Sequence, residues 1–210
     1  VPVLEPILAM LRADGGRDAD ARTIFKRLTA NSCAAIPDDN YRLLSMYILA
    51  ETGAAFNDAA AARQMFAAVA PYRDRMIVAG NGVLAVAPVS FTLGTLALVF
   101  EAHADAAGLF ADSVQMAARW NADGMRAHSL FGLARALEPA DAAASGEAYA
   151  AARSLAERLG MARLLAALDR HPLSTDSAGA PLDSLAGLST RELQVMAMVA
   201  AGQSNQAIAD

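Results

Sequence analysis

Residues 90–137 read SFTLGTLALVFEAHADAAGLFADSVQMAARWNADGMRAHSLFGLARAL. Leu93, Leu96, Ala97 and Phe100 share one face of a helix from Ser90 to His103. Asp105 starts a second helix that runs to Trp120, and Asn121-Ala122-Asp123 opens a third from Gly124 to Leu137. The stretch therefore predicts consecutive helical hairpins. The pattern extends in both directions. Downstream, Pro139-Ala140-Asp141 opens a helix over Ala142 to Leu159. Upstream, Tyr41 to Thr52 carries Leu43, Leu44, Tyr47, Ile48 and Ala50, and Asn57-Asp58 caps Ala59 to Val69, which ends at Pro71. Val3 to Arg12 places Leu4, Ile7, Leu8 and Leu11 on one face before the Asp14-Gly15-Gly16 turn. Ala19 to Ala30 does the same with Ala21, Ile24, Phe25 and Leu28, and Pro37-Asp38-Asp39 supplies a stop and an N-cap.

Composition supports helices throughout. The 210 residues include 52 alanines, the best helix former and a poor strand former, which argues against a largely β protein. Small side chains also let helices approach closely. Ala62, Ala106 and Ser145 each stand one turn before an aromatic, Phe66, Phe110 and Tyr149. They are separated by 44 and 39 residues (62 to 106 to 145), within the roughly 34 to 47 of helical-hairpin solenoids. The small residue admits the neighbouring helix and the aromatic fills the gap between hairpins. With Leu93-Gly94 ahead of Ala106 and Phe110, the pattern resembles the tetratricopeptide repeat, with an irregular period.

Charge and cysteine narrow the setting. Lys plus Arg number 17 against 22 Asp plus Glu, a net charge of -5. Such a chain is as a whole a poor nonspecific partner for DNA or anionic membranes, so any DNA contact must come from a specialised segment. Cys33 is the only cysteine, which excludes an intrachain disulfide and a thiolate metal cluster. It reads as core, since no histidine near in sequence would activate it. His103, His128 and His171 lack metal-ligand spacing, and neither His103 beside Glu101 and Asp105 nor His128 beside Ser129 has the partners of a catalytic group. Met46, Met65, Met116, Met125 and Met161 read as adaptable core. No catalytic residue, cofactor or metal is expected.

Residues 76–100 carry no charge. Gly80-Asn81-Gly82 and Pro88 break them into a loop and a following helix, and the apolar run after Pro88 is too short to span a bilayer. Glu5, Arg12 and Asp14 interrupt the first apolar run, unlike a signal peptide. A soluble, cytoplasmic protein is expected.

After Leu168 the texture changes. Residues 171–187 contain Pro172, Ser174, Ser177, Gly179, Pro181 and Ser184 without helical periodicity, the composition of a linker that limited proteolysis should cut. Beyond it, Ser189 and Glu192 form a capping box, with Leu188 and Leu193 as a hydrophobic staple. Leu193, Met196, Val199 and Ala200 make an apolar face, Gly202 a C-cap, Ser204 the next N-cap, and Ile208 the start of a second buried face. Two short capped helices around a glycine turn predict the support of a helix-turn-helix.

The terminal segment resembles the start of the LuxR-type DNA-binding domain. Leu188, Arg191, Glu192, Val195, Gly202, Ser204, Asn205, Ile208 and Ala209 fit that domain's pattern in order and spacing, with Ala207 where the family usually has an acid. The resemblance implies structural roles for Leu188, Ser189, Arg191, Glu192, Val195, Gly202 and Ile208, and places Ser204, Asn205 and Gln206 near the DNA backbone. The recognition helix follows this point in the family, so residues 1–210 alone are expected to bind DNA weakly or not at all. Pro37-Asp38-Asp39, Ala70-Pro71-Tyr72, Leu93-Gly94 and Arg158-Leu159-Gly160-Met161 also resemble features of the large ATP-binding LuxR regulators. In those proteins a nucleotide-hydrolysing domain precedes a tetratricopeptide-like sensor region. No GxxxxGK[ST] phosphate loop occurs in this chain.

The expectation is an all-α protein. A tetratricopeptide-like helical-hairpin array, an α-solenoid, occupies residues 1–170, a linker 171–187, and the first part of a helix-turn-helix 188–210. The array would relay a small-molecule or protein signal to a helix-turn-helix that binds promoter DNA in the intact protein, without a membrane and with homodimerisation as one route. The alternative is a helical-repeat protein–protein interaction scaffold that binds no DNA.

Overall fold

Helix punctuation sets the architecture. The computed structural model describes residues 4–79 and 82–171, all within one of the chain's two units, Val1–Leu173. Helix α1 (Leu4–Asp14) stops where Gly16 turns left-handed at φ 72° and the Arg17 N–H reaches back to the Arg12 carbonyl at 2.8 Å. Helix α2 (Asp18–Cys33) leaves helical geometry at Ala30, near the end that the sequence predicts. Two N-caps stand where the sequence places them. Asp58 accepts the Ala61 N–H at 3.0 Å ahead of α4 (Ala59–Val69), and Asp141 accepts the Ala144 N–H at 3.0 Å ahead of α8 (Ala142–Arg158).

Other boundaries differ. Asp39 does not cap α3 (Arg42–Ala54); its carboxylate accepts the Tyr41 N–H at 2.9 Å in an Asx-type turn, and Tyr41 occupies the N-cap position. The helix expected from Ser90 to His103 is α5 (Val89–Val99), because the Ala102 N–H closes back on the Ala97 carbonyl at 3.0 Å through left-handed Glu101. Helix α6 (His103–Arg119) therefore contains Asp105 in its first turn, where a carboxylate suits the helix dipole. Helix α7 (Asp123–Leu137) follows, and α9 (Ala162–Asp169) adds a helix that the sequence reading missed.

The expected loop before α5 is a β-hairpin. Strands β1 (Met76–Ala79) and β2 (Leu84–Pro88) pair antiparallel from Met76↔Pro88 to Ala79↔Leu84, with an irregularity between Ile77 and Val78. Ile77 and Ala87 are buried while Val78 and Leu84 face out, which is why these short runs adopt a period of two. Apart from this two-stranded sheet, the described residues are helical or in turns, and the fold is all-α. No helix of the described residues is long and apolar enough to cross a membrane.

Helices pack on their neighbours and next-but-one neighbours: α1 on α2 and α3, α2 on α4, α3 and α4 on α5, then α5 on α6 and α7, α6 on α7, α7 on α8, and α8 on α9. Small residues make this closeness feasible. Phe110 of α6 is 1% exposed and sits between Gly94 of α5 and Gly132 of α7. A Cβ at Gly94 would come within 2.9 Å of the ring, and one at Gly132 would collide with it. Ser113 and Ser129 bond across α6 and α7 at 2.8 Å, and the Ser145 hydroxyl of α8 donates to the Ala134 carbonyl of α7 at 2.8 Å. Ala106 and Ser145, the small residues picked out in the sequence, are fully buried, and Tyr149 nearly so. Phe66 is only half-buried and meets Phe100 edge to face at 5.6 Å. At the C-terminal end the Tyr149 hydroxyl donates to the Leu168 carbonyl at 2.9 Å, fastening α9 to α8.

Candidate functional site

A cleft of about 700 Å³ is lined mainly by residues of α1, α3, α5, α7 and α9, with Asp18 of α2 and Phe110 of α6 also contributing. Three of these helices repeat one arrangement, an aromatic residue with a polar one a turn later. The pairs are Tyr47 and Glu51 on α3, Phe91 and Thr95 on α5, and Phe131 and Arg135 on α7. A spacing of four keeps both members on the same helix face.

Two contacts fix the register. The Tyr47 and Phe91 rings lie 6.3 Å apart, and one turn on the Thr95 hydroxyl donates to Glu51 Oε1 at 3.4 Å. Matching pairs in the same order require α3 and α5 to run parallel, with aromatics level with aromatics and polar groups level with polar groups. Phe91 continues the apolar layer to Phe110, edge to face at 5.7 Å. The cleft thus has an apolar layer and, one turn along, a polar layer.

Its electrostatics follow from enclosure. Glu51 is solvent-exposed as a residue, while the protein packed around its carboxylate limits hydration there and pushes its pKa up. The Thr95 hydroxyl and the positive charge of Arg135 oppose that shift. Among the described residues no ion pair closes between Glu51 and Arg135, whose guanidinium stands 6.0 Å from the centre of the Phe131 ring. Burial and the Glu51 charge raise the Tyr47 phenol to about 12, so it stays a hydrogen-bonding hydroxyl. Burial lowers the pKa of His128 and favours neutral imidazole. Asp14 at one edge pairs with Arg163 at 3.4 Å.

The sequence reading did not single out this cleft. A signal was present: Glu51 is the only charged residue between Arg42 and Asp58, on a helix that after its opening Arg42 is otherwise apolar or small. A lone acid in such a helix needs a reason. The methionines noted in the sequence do not line the cleft; Met46 and Met65 are core, and Met10 is the cleft's methionine. Cys33 is buried, and desolvation raises its thiol to about 11. His103 opens α6 half-buried, and its Nδ1 has no hydrogen-bond partner among the described residues. Among those residues no group of three or more His, Cys, Asp or Glu could hold a metal.

The residues expected near DNA, Ser204, Asn205 and Gln206, lie outside the described residues. So do the helix-turn-helix positions Leu188, Ser189, Arg191, Glu192, Val195, Gly202 and Ile208. Their assignment rests on sequence. Residues 186–210 match the family model of bacterial regulatory proteins, luxR family. That match supports a DNA-binding transcription regulator at the level of the intact protein. No curated protein and no solved structure matches the chain.

Proposed function

We propose that the chain is the sensor region and the start of the DNA-binding domain of a bacterial transcription regulator of the large ATP-binding LuxR type. The observation that carries the reading is the luxR-family match at residues 186–210, which follows a helical body in sequence. The helical body is a tetratricopeptide-like array and receives the signal, for which the mixed apolar and polar cleft is suited. It binds and does not catalyse. The nucleotide-hydrolysing domain belongs to another part of the intact protein, which works in the cytoplasm. Signal transfer requires the effector to favour one of two states of the regulator, through exposure or dimerisation of the helix-turn-helix.

The test compares residues 1–210 with a version completed through a recognition helix. The completed protein should enrich a particular duplex from a random pool, with affinity that falls steeply as salt rises. Residues 1–210 alone should enrich none, because Arg191 is the only basic residue from 188 to 210. Failure of the completed protein to enrich any duplex would sink the regulator reading and leave the interaction scaffold in its place.

A further inference from the structure

We propose that the cleft binds a small zwitterion with an apolar ring, of which an aromatic α-amino acid is the simplest example. The two layers assign its parts. Half-buried Tyr47 and Phe131 offer ring surface for the apolar body, and Phe91, 6% exposed, backs the apolar layer between Tyr47 and Phe110. One turn along, Glu51 and Arg135 present opposite charges from different helices without neutralising each other in a direct pair. Thr95 engages one oxygen of the Glu51 carboxylate, and among the described residues the second has no hydrogen-bond partner.

A head group carrying both charges satisfies this layer. Its ammonium donates to Glu51 and its carboxylate accepts from Arg135, so each charge of the layer meets its opposite in the ligand. A simple anion would leave Glu51 facing like charge, and a simple amine would leave Arg135 unanswered. The lining as a whole agrees with a neutral ligand: Asp14, Asp18 and Glu51 balance Arg135, Arg163 and Arg170. The size of the cleft, about 700 Å³, lies within the range of small-molecule sites and leaves room for ring and head group together. This names the effector class for the proposed sensor. Its regulatory meaning rests on that reading, whereas binding does not.

Calorimetry on the 210-residue chain with four probes tests the assignment: phenylalanine, phenylalaninamide without the carboxylate, 3-phenylpropionate without the ammonium, and glycine without the ring. Phenylalanine should bind, and each of the other three should bind about tenfold or more weakly, the loss expected for one charge-assisted contact or the buried ring. Glu51→Gln should erase the preference for phenylalanine over 3-phenylpropionate but keep the preference over the amide. Arg135→Gln should do the reverse. Near-unchanged helical content of both variants by circular dichroism separates lost contacts from lost folding. No heat from phenylalanine at millimolar concentration, equal binding of the amide, or variants that lower all affinities alike would each overturn the proposal. Repeating the duplex-enrichment assay of the completed protein with phenylalanine separates the two readings. Binding to the body without any effect on DNA would refute the regulatory role and leave the site standing.

Discussion

At the residue scale, Glu51 carries the sharpest consequence. Its raised pKa means that the folded chain holds the Glu51 proton more tightly than the unfolded chain does. Stability therefore falls as pH climbs from the ordinary carboxylate range through the raised value, and the loss is complete above it. The groups around Glu51 are Tyr47 on its own helix and Thr95 and Arg135 from α5 and α7, and Tyr47 stays protonated through this window. Glu51→Gln should accordingly melt higher than the parent at neutral and alkaline pH, with the two curves merging below the ordinary carboxylate range. A thermal-melt series against pH measures this. The same change should abolish ammonium recognition, a local exchange of stability for function. Cys33 makes a second test. Buried and with its thiol at about 11, it should react with a thiol reagent at neutral pH only when denaturant is added.

At the element scale, the helices were largely legible because their punctuation is chemical. Asp58 and Asp141 were readable as caps since a short carboxylate before an Ala-rich run has one obvious use. Replacing either with Ala should cost about 1 kcal/mol in denaturant melts. Asp39 looked equally good, yet its carboxylate engages Tyr41 two residues on, a choice between turn and cap made by the approach of the chain. The hairpin was missed because Gly80-Asn81-Gly82 and the uncharged flanks read as a break before a helix. The alternative signal was β-branched Ile77, Val78, Val83 and Val86 flanking the turn-prone sequence Gly80-Asn81-Gly82. Helix α9 was missed because its apolar content, Leu164, Leu165 and Leu168, is brief and directly precedes the Pro- and Ser-rich stretch. Where helices touch, glycine fixes the spacing. Gly132→Ala should destabilise by about 1–3 kcal/mol through collision with Phe110. Adding Phe110→Leu should recover part of the loss, which distinguishes crowding from a change in helix propensity.

At the scale of the whole molecule, the sequence supported the all-α class from alanine content and periodicity, while the cleft stayed hidden. Tyr47, Thr95 and Arg135 are far apart in the chain, and only the packing that brings α3, α5 and α7 around one cleft makes them one surface. Spacing within each helix was readable, but the alignment between helices was not. The acidic balance has its own test. With a net charge of -5, the 210-residue chain should pass unretained through a heparin column at low salt, monitored by absorbance. One feature of the core reaches beyond stability. Phe110 is both the ring wedged between Gly94 and Gly132 and part of the cleft lining. Pocket width and helix spacing are consequently a single mechanical variable. Because a close-packed interior shifts between discrete arrangements instead of stretching, a guest that pries α5 from α7 must move this ring as a lever.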